Sequence, residues 1–84
     1  MKFLNKRQVK RLLNQIKEQY GIKKLKIEDY IHVIKSRFYL ISKDIEKINF
    51  DELNIRSAGL YFGAIEKEKF VPSEEGRQLL EQYL

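Results

Sequence analysis

The chain predicts an α+β fold, a small antiparallel sheet flanked by an N-terminal amphipathic helix, a short middle helix and a C-terminal helix. Three observations carry that expectation. Apolar residues at Val9, Leu12, Leu13, Ile16 and Tyr20 recur at helical spacing. From Ile22 the apolar period falls to two, as in half-buried strands. After Pro72 a helical pattern returns with Leu79, Leu80, Tyr83 and Leu84. Eighty-four residues without an internal repeat or flexible linker make one domain, 1–84, with a single modest core.

The first helix has Asn5 as its N-cap and Gly21 where a left-handed glycine ends a helix. At about 100° per residue, Lys6, Arg7, Lys10, Arg11 and Lys17 fall on one flank. Gln8, Gln15 and Gln19 fall on the other. The segments "IKKLKI", "DYIHVIK" and "FYLIS" alternate as strands, the last two joined by a short connector at Ser36-Arg37. "KDIEKINFDEL" reads as the short helix, with Ile45, Ile48 and Phe50 turned inward, and Asp51, Glu52 and Asn54 lead back to the sheet.

In the next strand Ala58, Leu60, Phe62 and Ala64 share one face, and Ser57, Gly59 and Tyr61 the other. Gly59 and Gly63 within it predict a bulge or a close backbone approach. Glu66 to Lys69 form a hairpin tip, Phe70-Val71 return, Pro72 stops the strand, and Ser73 caps the last helix above Glu74 and Glu75.

Composition narrows the function classes. With no cysteine, disulfide frameworks and thiolate metal sites are excluded, and a reducing cytoplasmic setting is expected. No apolar run approaches the roughly 18 residues of a membrane span, and "MKFLNKRQ" lacks the apolar region of a signal peptide. No membrane partner, cofactor or metal is expected. The net charge of +5 is divided unevenly, +9 over residues 1–43 and −4 over residues 44–84. So basic a half suits an anionic partner such as nucleic acid. A lysine-rich solubilising surface is the plainer reading of the same charges.

Catalysis finds no constellation. His32 is the single histidine and lies in strand-like alternation, so a structural role is expected. "GLYFG" lacks the order of a phosphate loop. "AGLYFGAI" superficially resembles the aromatic strand of an RRM, but Ala58 stands where that pattern wants a basic residue, and its final aromatic is missing. Leu60 and Phe62 are expected in the core.

The stretch "IRSAGLYFGAIEKEKFVPSEEGRQLL" resembles the closing segment of the pre-PUA domain in the archaeal and eukaryotic Nip-seven-type family of ribosome-biogenesis proteins. The matching positions are Ser57, Gly59, Phe62, Gly63, Ile65, Phe70, Ser73 and Gly76. The resemblance implies a non-enzymatic α+β module that helps assemble ribosomes and process their precursor RNA. In the family a PUA domain follows and supplies most of the RNA contact; this chain stops about where that domain would start, so no RNA-contacting residue transfers by motif.

Two functional expectations result. The first is a non-catalytic accessory module of ribosome biogenesis or RNA modification, touching ribosomal or precursor RNA phosphates through Lys6, Arg7, Lys10, Arg11, Lys17, Lys23, Lys24 and Lys26. The second is a protein-docking module. Its last helix would leave Leu80, Tyr83 and Leu84 uncovered for a PUA-type domain in trans or a second copy of the chain.

Overall fold

A computed structural model describes residues 2–27, 30–42 and 51–84. Five antiparallel strands, β1 (Lys2–Phe3), β2 (Tyr30–Ile34), β3 (Arg37–Ile41), β4 (Leu60–Glu66) and β5 (Lys69–Pro72), lie in the order of the chain. Helices α1 (Lys6–Tyr20) and α3 (Glu74–Glu81) cover one face, and α2 (Glu52–Ala58) packs on the other. The α+β expectation is met.

The alternation of the strands divides the core in two. Leu12 and Ile16 of α1, Leu80 of α3, and Ile31, Leu40, Phe62 and Phe70 of the sheet form the larger cluster. Ile34, Tyr39 and Ile41 close on Ile55 of α2 beneath the sheet. Burial of each such aliphatic or aromatic side chain is worth roughly 1.5–3 kcal/mol, and this supplies the stability that cross-links supply in other small domains.

Local signals explain the helix ends. Asn5 and Gln8 form a reciprocal capping box, Asn5 Oδ1 accepting the Gln8 N–H at 2.9 Å and Gln8 Oε1 the Asn5 N–H at 3.0 Å. Gly21, at φ 66°, ends α1, and the Ile22 N–H turns back to the Lys17 carbonyl at 3.0 Å.

Four expectations need correction. Residues 22–27, read as a strand, form none; Ile22 and Leu25 are buried anchors three apart in an irregular return to β2. The inward turn of Ile45, Ile48 and Phe50 lies outside the described residues. The helix of that region, α2, is N-capped by Asp51, whose side chain accepts the Asn54 N–H at 2.8 Å. Ser57 and Ala58 therefore belong to the last turn of α2 and not to a strand, Ser57 Oγ donating to the Leu53 carbonyl one turn back. Gly59 follows as the end of that helix.

The third correction is the face of β4. Phe38 pairs with Gly63 but Tyr39 pairs with Tyr61, so Phe62 is the extra residue of a bulge. Past the bulge Ile65, not Ala64, turns to the larger core. The bulge expected from the glycines is there, at Gly63. Its φ of 154° is a glycine conformation, and a Cβ there would stand 2.7 Å from Phe70 Cζ. The fourth correction is the connector of the β2–β3 hairpin, which is Lys35-Ser36, both at positive φ.

Candidate nucleic-acid interface

Helix α1 presents three differently employed flanks. Its apolar face enters the core. Its glutamine flank clamps the edge strand: Gln19 Nε2 donates to the Phe70 carbonyl at 2.7 Å, and the Phe70 N–H donates to Gln19 Oε1 at 3.1 Å. The Tyr20 hydroxyl also donates to the Phe70 carbonyl, at 3.0 Å, and Gln15 Nε2 to the Glu68 carbonyl at 3.1 Å. Desolvation pushes the Tyr20 phenol up from its ordinary pKa, which keeps it a donor. A side-chain amide thus completes the outer edge of β5 as another strand would, and Pro72, without an N–H, ends that edge.

The third flank is cationic. Lys6, Arg7, Lys10 and Arg11 are exposed and Lys17 is half-buried. No acid stands in the first turn of α1, where the positive end of the helix dipole disfavours Lys6 and Arg7. Arg7 and Arg11 are like charges one turn apart, a further small cost. Among the described residues the ion pairs are Arg56 with Glu52 and Arg77 with Glu74; the α1 cations join neither. Lys6, Arg7, Lys10 and Arg11 do nothing for the helix that carries them; Lys17, in its last turn, is the one cation of the flank that the dipole favours.

Lys23, Lys24 and Lys26 are exposed in the return beyond Gly21. They lie beyond the C-terminal end of α1 and not on its flank. The structure adds cations that position in the chain had hidden. Arg37 pairs with Ala64, and Glu66 pairs with Lys69. The two hairpin turns therefore share one end of the sheet, bringing Lys35, Arg37, Lys67 and Lys69 there with Glu66 and Glu68. All six are exposed.

At that end a shallow groove of about 210 Å³ separates α1 from the sheet. Leu4, Leu12, Phe38 and Ile65 make its apolar floor, and Gln8, Arg11 and Gln15 its rim. Nothing in "FYLIS" alone marked Phe38 as anything but a strand residue; the approach of α1 makes it a groove wall.

The aromatic strand offers no stacking surface. Phe62 is 0% exposed, tilted against Phe70 with ring centroids 4.9 Å apart. Tyr61 is half-buried, with Tyr39 at 5.4 Å and the Arg37 guanidinium 5.8 Å from its ring centre. Leu60, expected in the core, is 38% exposed at the strand's start. His32 is buried, edge-on to the Phe3 ring at 4.1 Å, and desolvation lowers its pKa from the ordinary 6.5.

The glycine-rich motif is architectural. Ser73 Oγ donates to the Tyr61 carbonyl and accepts the Gly76 N–H at 3.0 Å, while the Ser73 N–H reaches the Phe62 carbonyl at 2.9 Å. Helix α3 is thereby seated end-on against the bulge. Of the expected docking residues, Leu80 is 2% exposed and committed to the core, whereas Tyr83 and Leu84 are exposed. The correction follows from helical spacing: Leu80 is on the same side of α3 as the buried Gly76.

Among the described residues no helix is long and apolar enough to cross a membrane, and no cluster of His, Cys, Asp or Glu is arranged to hold a metal. No family model, curated protein or solved structure matches the chain.

Proposed function

We propose that this chain is a non-catalytic RNA-contacting module. It serves as a cytoplasmic accessory of ribosome biogenesis or RNA modification and holds ribosomal or precursor RNA by its phosphates. The cation array of α1 carries this reading: Lys6, Arg7, Lys10, Arg11 and Lys17 are unpaired with any described acid, and Lys6 and Arg7 are placed against the dipole. Charges that lower a helix's own stability are best accounted for by an anionic partner. Lys23, Lys24 and Lys26 extend the track. The resemblance to the pre-PUA segment supplies the ribosomal context.

The test is a titration of a fluorescent ribosomal RNA fragment at several salt concentrations. Affinity should fall linearly with log salt, with a slope of roughly 0.7–0.9 per phosphate contact. Replacing Lys6, Lys10, Arg11 and Lys17 by Gln should weaken binding and flatten that slope in proportion. An unchanged slope removes the assignment.

Docking of a protein, a PUA-type domain in trans or a second copy, is a second reading favoured by the 38% and 70% exposure of Tyr83 and Leu84. Because Leu80 is core, the informative truncation ends at Glu81. It should abolish association while the domain stays folded; retained association rejects this reading.

A further inference from the structure

The groove between α1 and the hairpin end of the sheet is not explained by phosphate contact alone. At about 210 Å³ it is smaller than the ~300 Å³ at which ordinary small-molecule sites begin, and it opens to solvent along one side. It has room for one flat ring system. Its floor is apolar and includes the half-buried ring of Phe38.

The rim has a definite polarity. Arg11 is exposed on it, Arg7 stands one helical turn before, and no acid lines the groove. Gln8 uses its Oε1 for the Asn5 N–H, which leaves its amide N–H groups. Gln15 uses its Nε2 for the Glu68 carbonyl, which leaves its Oε1 as an acceptor. A donor and an acceptor flank an apolar floor with an arginine above it.

Two turns of unfavourable backbone stand at the same end of the sheet as the groove. Both hairpin turns at this end hold non-glycine residues at positive φ, Lys35 and Ser36 in one, Lys67 and Glu68 in the other. Such conformations are unfavourable for these residue types. They persist here at the exposed tips, and Gln15 fastens the second tip to α1.

We propose that this groove receives one base of a single-stranded RNA. The base lies against Phe38, its edge meets Gln8 and Gln15, and Arg7 and Arg11 hold the adjoining phosphates. This rests on the RNA-contacting reading and deepens it from phosphate contact to a single-strand preference. Charge complementarity selects an anionic strand; the small, flat, donor-and-acceptor groove selects its base.

Two probes of equal phosphate count separate these contributions: a fluorescein-labelled decauridylate and a sugar-phosphate strand of the same length without bases. The decauridylate should bind about tenfold more tightly or better. Phe38→Leu, which keeps an apolar side chain, should erase that difference and leave the abasic strand's affinity unchanged. Should that variant fail to fold, crosslinking of the unaltered protein to a 4-thiouridine strand decides. Adducts at Leu4, Gln8, Phe38 or Ile65 support the groove, and adducts confined elsewhere overturn it. Equal affinity for the two strands overturns the base site while phosphate contact stands. Binding of neither strand at low salt overturns both readings. Phe38-dependent capture of a labelled Asp/Glu-rich peptide, without a base effect, assigns the groove to a protein and overturns the proposal.

Discussion

A Cβ on Gly76 would be driven into the Phe62 carbonyl, with the carbonyl carbon 2.9 Å away. The neighbour is backbone, itself fixed by the Ser73 N–H, so nothing soft can give way. Gly76→Ala should therefore destabilise the domain by about 3 kcal/mol or more, despite its better helix propensity. Urea denaturation measures this; a stabilised variant would show that α3 is not seated on the bulge. His32 makes a second prediction at this scale. Burial lowers its folded pKa below the unfolded value near 6.5, so between the two the unfolded chain binds more protons. The contribution of neutral His32 is complete above about pH 6.5 and declines as pH falls through the folded pKa. Unfolding free energies at about pH 7.5 and pH 5 should diverge less in His32→Gln than in the unaltered protein. Parallel losses would remove His32 from the account.

The elements are stabilised unequally. Both hairpins turn through two residues that disfavour positive φ, Lys35-Ser36 and Lys67-Glu68, where Asn-Gly fits without strain. Substituting Asn-Gly at 35–36 should raise stability by about 1 kcal/mol, roughly 4–8 °C in Tm for a domain of this size. Calorimetry on the separate hairpin variants tests it. The same change at 67–68 should also stabilise, if Gln15 keeps its bond to the carbonyl of residue 68. The β5 edge depends on α1 in another way. Gln19→Ala leaves the Phe70 N–H without its partner, at a cost of about 1–3 kcal/mol, and reopens a pairing edge. Stability should fall and self-association should rise in sedimentation; an unchanged monomer would show that Tyr20 and Pro72 suffice to protect the edge.

At the scale of the molecule, the division of charge between the two halves of the chain does not persist as two lobes. The antiparallel order brings Lys67 and Lys69, from the acidic half, beside Lys35 and Arg37. The exposed cations consequently fall in two parts, the flank of α1 with the 23–26 return, and the hairpin end around the groove. Replacing Lys35, Lys67 and Lys69 by Gln should lower the affinity for single strands as well, with the salt slope falling by roughly 0.7 for each phosphate that is no longer neutralised. If only the α1 variants respond, the hairpin end is a solvated surface and the track ends at the helix.

Local chemistry decided much of this before folding. The caps at Asn5 and Ser73 and the stop at Gly21 are written in short-range spacing, because each satisfies backbone groups within a turn; the apolar face of α1 is written in helical periodicity, and the bulge in β4 in the conformational freedom of Gly63. The short-range code failed where two codes overlapped. Around Asp51–Gly59 a helix cap and a strand-like alternation compete, and packing of Ile55 under the sheet chose the helix. Residues 22–27 alternate like a strand, yet they join no strand of the sheet, because Ile22 and Leu25 are both drawn into the core. Of the candidate interface, the charges on α1 were legible in the residue order, since a helix maps spacing directly onto faces, although Arg11, read with the other cations, shares the groove rim with Gln8 and Gln15. What those faces meet was settled by folding: the glutamines seal β5, Leu80 enters the core, and Phe38 and Ile65 face Arg11 across a groove. Arg11 and Phe38 stand 27 positions apart in the chain, and no local preference of the backbone encodes a meeting at that distance.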